Sequence, residues 1–156
     1  MNDRMREKFG DSPVKMLQAQ LKAFMRQSGI NYTFPGKCGT TKDSHCIIYM
    51  GGQQGPEVQR KIVEEIFKSY FQNSGDLTSW EMLADAAEKA GMDKDTVLKD
   101  LEEGKGAVEV DREIQEAYKV GIHTLPNIVI NRAFNWQSAS DPNENVNRLV
   151  KPRKTM

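Results

Sequence analysis

Ten residues near the C-terminal end constrain this chain more than any others. Gly121-Ile122-His123-Thr124-Leu125-Pro126-Asn127-Ile128-Val129-Ile130 joins a helical pattern to an apolar strand through a short loop ending in proline. Proline has no backbone N–H, so it cannot donate to a β-ladder and belongs at a strand's first residue or on an edge. A tight loop entering a strand through an X-Pro bond is also a place where the cis isomer is found. The joint predicts a strand over residues 127–130, a turn at Asn131-Arg132 and an antiparallel partner over residues 133–137. Ile128, Val129 and Ile130 form an unbroken apolar run, the pattern of a strand covered on both faces.

Before that joint the periodicity is helical. Ser12-Pro13 reads as an N-cap and first helical position, ahead of Val14, Leu17, Leu21 and Phe24, with Gly29 closing the segment. Residues 30–34 read as a short extended piece. A helix follows over residues 41–50, broken by Gly51-Gly52. Pro56 opens a long helix with the stripe Val58, Ile62, Ile66, Tyr70 and Phe71. Thr78-x-x-Glu81 forms a capping box before Met82, Leu83, Ala86 and Ala90, and Gly91 ends that helix. A shorter helix is predicted over residues 95–103. Gly104 and Gly106 separate it from one bearing Val110, Ile114, Ala117 and Tyr118, which stops at Gly121. Asp141-Pro142-x-Glu144 caps a last helix with Val146, Leu149 and Val150.

Length and composition narrow the function classes. At 156 residues the chain is one domain, large enough to bury a core. Lys+Arg and Asp+Glu both total 22, so no net field draws in nucleic acid or an anionic membrane. No apolar run approaches the ~20 residues of a spanning helix. The opening residues are charged, without the apolar core of a signal peptide. Two cysteines do not make a secreted disulfide framework, so a reducing cytoplasmic setting is expected. The basic tail Lys151-Pro152-Arg153-Lys154 reads as a solvated terminus. Two histidines and two cysteines show no C-x-x-C or H-x-x-x-H spacing, so no metal site is expected.

Several blocks, in order and at matching spacing, resemble one family. Phe34-Pro35-Gly36-Lys37-Cys38-Gly39-Thr40-Thr41-Lys42-Asp43-Ser44-His45 is similar to the F-x-G-x-x-G-N-T-x-x-[SA]-H block of the FrnE-like branch of the DsbA family. Glu7-Lys8-Phe9-Gly10, the helix from Glu64 to Phe71, Gly75-Asp76-Leu77, residues 86–93, Val110-Asp111-Arg112-Glu113, the proline joint and Asp141-Pro142 extend the resemblance across nearly the whole chain. Thr40 stands where the family has Asn, Thr124-Leu125 where it has Gly-Val, and Ile128 where it has Phe. Gln137-Ser138-Ala139-Ser140 replaces its S-G-A-Q.

The resemblance implies an α/β, thioredoxin-like fold with a large helical insertion, helix-rich and ending in one β-hairpin. Within a single domain over residues 1–156, the insertion would occupy residues 11–120, the second half of the thioredoxin core residues 121–150, and a tail residues 151–156. The family's opening strand, C-P-x-C helix and second strand have no counterpart in this sequence, so the thioredoxin core would be incomplete. Disulfide exchange needs a thiolate of lowered pKa and usually a resolving partner. Cys38 and Cys46 are the only thiols, and a redox pair made from them is the weaker reading; two ordinary reduced thiols is the stronger.

Thr124, Leu125 and Pro126 are the expected substrate-binding residues, because the residue before a cis proline exposes backbone groups that pair with an extended chain. His45 is a candidate cleft residue, or a residue that only hydrogen-bonds the loop before it. His123 is expected to face solvent. Trp80 and Trp136 read as packing residues, and residues 102–116 as a solvated helix face with local ion pairs. The expected function is a thiol–disulfide oxidoreductase homologue with little or no activity alone, acting on a thiol or disulfide peptide or on glutathione. Two alternatives stand beside it. One is a glutathione-binding transferase or isomerase of the kappa-like branch. The other is a non-catalytic interaction module or homo-oligomer that completes its sheet with another chain through an exposed strand edge.

Overall fold

The computed structural model describes residues 7–33, 37, 39–124, 127–130 and 134–136. Two compact units divide the chain, Met1–Asp111 and Arg112–Met156. Cys38, Leu125, Pro126, the predicted turn at Asn131-Arg132, the last predicted helix and the tail lie outside the described residues.

The first unit is helical: α1 (Asp11–Gln27), α2 (Lys42–Gln54), α3 (Pro56–Gln72), α4 (Trp80–Lys89), α5 (Lys94–Glu102) and the start of α6 (Ala107–Lys119). Its core is built from α2, α3, α4 and α5. Ile47, Ile62, Leu83 and Val97 are its largest fully buried side chains, one from each of those four helices. Burying a side chain of that size stabilises a fold by about 1.5–3 kcal/mol. The α3 stripe follows the expected spacing, with Ile62, Ile66 and Tyr70 buried and Val58 and Phe71 partly so. Phe71 adds edge-on contact with Tyr70 at 4.9 Å between ring centres and stacks on Tyr32 at 6.1 Å.

Several helix ends differ from the sequence expectation for local reasons. Helix α2 does not break at Gly51-Gly52 but runs through both to Gln54. The glycines let α3 come close: a Cβ on Gly51 would collide with Ile62 Cδ1, and one on Gly52 would lie 2.7 Å from Gln59 Nε2. Contact with α3 thus offsets the roughly 1 kcal/mol that glycine costs inside a helix. Helix α1 starts at Asp11 with Gly10 at its N-cap, so Ser12 and Pro13 sit in the first turn, where a missing N–H leaves no bond unmade. The N-cap of α4 is Ser79, which accepts a bond from Met82 N at 3.3 Å, rather than Thr78. Asp93 caps α5 by accepting from Thr96 N at 2.9 Å, which starts that helix at Lys94.

Helix α1 buries less than its pattern promised. Val14 is 2% exposed, but Leu17 and Phe24 are 53% and 64% exposed. The segment after α1 is fastened to the end of α3, where Phe71 O accepts from Thr33 N at 2.8 Å and from Thr33 Oγ1 at 3.2 Å.

In the second unit, α6 ends at Gly121, whose φ of +85° lies in the left-handed region that favours glycine. Strands β1 (Ile128–Ile130) and β2 (Phe134–Trp136) pair antiparallel, with Ile128 opposite Trp136 and Ile130 opposite Phe134. Val129 is 46% exposed, so this strand is not covered at its centre as its apolar run had suggested.

Candidate functional site

The blocks singled out in the sequence do different work, and two of them interlock. Asp76 Oδ1 accepts from Thr78 N at 2.9 Å and from Thr78 Oγ1 at 2.6 Å, closing the turn after α3. The Thr78 hydroxyl, then its N–H, holds the Asp76 carboxyl below its ordinary value. Gly39 lies against this turn so closely that a Cβ there would collide with the Thr78 methyl. Lys37 Nζ reaches Asp76 Oδ2 at 3.6 Å. Gly75 is held by Ser69 O, which would lie 2.9 Å from an added Cβ. The Gly39 loop and the Gly75-Asp76-Leu77 turn are therefore two sides of one packed contact.

That contact leads into α2, where Thr41 O is the acceptor for three donors. His45 N donates to it at 3.2 Å, His45 Nδ1 at 2.7 Å and Ser44 Oγ at 2.7 Å. Because a carbonyl can only accept, the ring proton sits on Nδ1 and leaves Nε2 as an acceptor in neutral His45. The ring is exposed, so His45 anchors the loop through one nitrogen and offers the other to solvent. Ser44 is buried at 5% exposure.

Cys46 follows on the next position of α2, 3% exposed. Burial pushes its thiol above the ordinary value. Asp43 adds to the rise, while Lys42 opposes it only in part. A nucleophilic thiol requires the opposite shift. Lys42 is itself committed to Asp111 Oδ2 at 2.7 Å, which raises its own pKa. Cys38 is outside the described residues, so the geometry of the two thiols is not defined.

In the second unit, Thr124 is exposed and lines a hollow of about 240 Å³ with Ile114, Ala117, Tyr118, Ile122 and His123. His123 stacks on Tyr118, with ring centres 5.8 Å apart and planes 15° off parallel. His123 is solvent-exposed while covering the Tyr118 ring. Asn127, directly after the proline, carries a side-chain amide whose Nδ2 and Oδ1 are both buried without a hydrogen-bond partner among the described residues. Leaving a buried polar group unmet costs about 1–3 kcal/mol. Sequence reading took Asn127 only as the first residue of the predicted strand and gave its side chain no role. Among the described residues no group of three or more His, Cys, Asp or Glu side chains is arranged to hold a metal ion.

The profile of the DSBA-like thioredoxin domain matches residues 3–150. The chain belongs to this family. No curated protein matches the chain. Membership makes the fold that of a thioredoxin-like DsbA domain, here helix-rich, and places the chain in a family of thiol–disulfide oxidoreductases. In this DsbA-like chain the only thiols are Cys38 and Cys46, eight positions apart. No described helix is long and apolar enough to cross a membrane.

Proposed function

We propose that the chain serves as the substrate-binding part of a DsbA-family thiol–disulfide oxidoreductase of the FrnE-like branch. Residues 11–120 form the helical insertion, and residues 121–150 the second half of the thioredoxin core. The substrate is an extended thiol or disulfide peptide, or glutathione. Its backbone pairs with Thr124, Leu125 and Pro126, the last in the cis form, by strand addition. The setting is the reducing cytoplasm. The observation that carries the reading is the family match over residues 3–150, which includes this loop.

Two features of the second unit support it. Gly121 at φ +85° ends α6 and turns the chain into the loop. The Asn127 side-chain amide, buried and without a partner among the described residues, is spare hydrogen-bonding capacity directly after the loop.

The sulfur chemistry itself is not assigned to Cys46. A buried thiol with a raised pKa holds little thiolate at neutral pH. The family's C-P-x-C has no counterpart among these residues, so this chain alone turns over disulfides weakly or not at all. Insulin reduction by the purified chain tests this. Turnover at the uncatalysed rate is expected, whereas ready turnover that disappears in Cys38→Ser or Cys46→Ser refutes the reading.

A second reading, assembly with another copy, draws on Val129. Its 46% exposure at the centre of β1 leaves apolar strand surface in water. Light scattering after size exclusion distinguishes a dimer from a monomer.

A further inference from the structure

Between Asp11 and Asp43 the sequence contains no carboxylate, yet it carries Lys15, Lys22, Arg26, Lys37 and Lys42. In a chain with equal numbers of acidic and basic residues, that is a strong local imbalance. Two of these cations are neutralised from elsewhere, Lys37 by Asp76 at 3.6 Å and Lys42 by Asp111 at 2.7 Å. The side chains of Lys22 and Arg26 make no ion pair or hydrogen bond among the described residues.

They stand four positions apart on α1, so their side chains share one face of the helix, where like charges repel. Arg26 also lies in the last turn, where a cation suits the helix dipole. That accounts for one positive charge and not for two converging on the same spot.

The spot is concave. Lys22 and Arg26 flank a hollow of about 430 Å³ whose α1 side is kept low by Ala19 and Ala23 and whose opposite side is Asn31 and Tyr32. Its volume falls within the range of small-ligand sites. Burial pushes the Tyr32 phenol up, so it stays protonated at neutral pH. Guanidinium and ammonium on the α1 side, with an asparagine amide on the other side of the hollow, match the oxygens of a phosphate or carboxylate, which take charge-assisted bonds best.

We propose that this hollow is a binding site for a small organic anion carrying a phosphate or carboxylate group, held chiefly by Lys22 and Arg26. It is independent of the thiol-peptide loop of the second unit.

Calorimetric titration of the full chain with inorganic phosphate and with citrate, at constant ionic strength set by sodium chloride, tests it. At least one anion should bind with one-to-one stoichiometry. In the doubly substituted Lys22→Gln/Arg26→Gln chain, its affinity should fall by about tenfold or more, the loss of one charge-assisted bond's worth of binding. Lys15→Gln, which removes a charge of the same helix that does not line the hollow, should bind as the parent does. Phosphate alone marks the ligand as a phosphate compound, citrate alone as a carboxylate. Both substituted side chains are exposed, and circular dichroism of the variant checks that the helices persist. The proposal is overturned if neither anion binds, if the double variant binds like the parent, or if Lys15→Gln loses as much.

Discussion

Trp80 donates its indole N–H to Asp43 Oδ2 at 2.7 Å, tying the first turn of α4 to the first turn of α2. The link holds the start of α2, the segment carrying His45, against the helix that follows the Asp76 turn. Trp80 is 41% exposed, so its contribution is more through this bond than through burial. Trp80→Phe keeps an aromatic ring, though a smaller one, and removes the donor. The expected cost is about 1 kcal/mol, seen as a drop of roughly 2–4 °C in Tm for a chain of this size. An unchanged melting curve would show that the bond contributes nothing in solution.

Gly51→Ala should destabilise, although alanine is the better helix former by about 1 kcal/mol. The added methyl meets Ile62 Cδ1, and Ile62 is fully buried. Overpacking of this kind costs about 1–3 kcal/mol. Ile62→Val, which shortens the obstructing arm, should recover part of it. Urea unfolding of the two single variants and the double variant gives the coupling. Additive losses would mean that the two positions do not meet.

Asp76 and Asp93 should shape the acid limb of stability. Each accepts from a neighbouring threonine hydroxyl and N–H, and each carboxyl is held below the ordinary 3.8. A lowered folded-state value means that the stabilisation is present above the ordinary carboxylate range. It is lost as pH falls through the folded-state value. Asp76→Asn/Asp93→Asn keeps the accepting oxygen but removes the titration. Its stability between about pH 5 and pH 2 should therefore decline less steeply than the parent's.

Cys46 should react slowly with a thiol reagent. In a Cys38→Ser background only Cys46 remains, and its labelling at pH 7.5 should be far slower than that of the same chain in urea. Because its folded-state value is raised, the associated stability is fully present below the ordinary thiol value of 9.0 and is lost as pH climbs through the raised one. Rapid labelling of the native chain would place a reactive thiolate where the structure has a buried thiol.

Much of the helical unit was legible because burial there follows period: Ile62, Ile66 and Tyr70 lie on the one stripe their spacing drew. Helix ends were less legible. Gly51-Gly52 looks like a stop until Ile62 and Gln59 come close enough to need the missing side chains, and that contact is not local. The choice of Ser79 over Thr78 as a cap depends on Asp76 having already taken the Thr78 hydroxyl. The apolar face of α1 misled for a similar reason, since periodicity shows that a face is apolar and not that anything covers Phe24. At the candidate site, His45 was legible as a loop anchor or cleft residue, and the Thr41 carbonyl shows the anchoring bond. Asn127 was not, because an unmet amide is a property of surroundings rather than of sequence.

Asn127→Leu separates stability from binding. Replacing an unmet amide with an apolar group of similar volume should leave the free chain as stable as the parent, or more stable by about 1 kcal/mol. The same change should weaken binding of a cysteine-containing peptide. Loss of stability in the free chain would mean that the amide is satisfied in solution.

The most direct test of a retained substrate loop is an amide-resolved NMR titration of the chain with an extended cysteine-containing peptide and with reduced glutathione. The account predicts shifts in the amides of Thr124, Leu125 and Asn127 with at least one of the two, and their loss in Pro126→Ala. Binding that moves other amides and leaves these three in place would contradict it, as would no binding of either ligand.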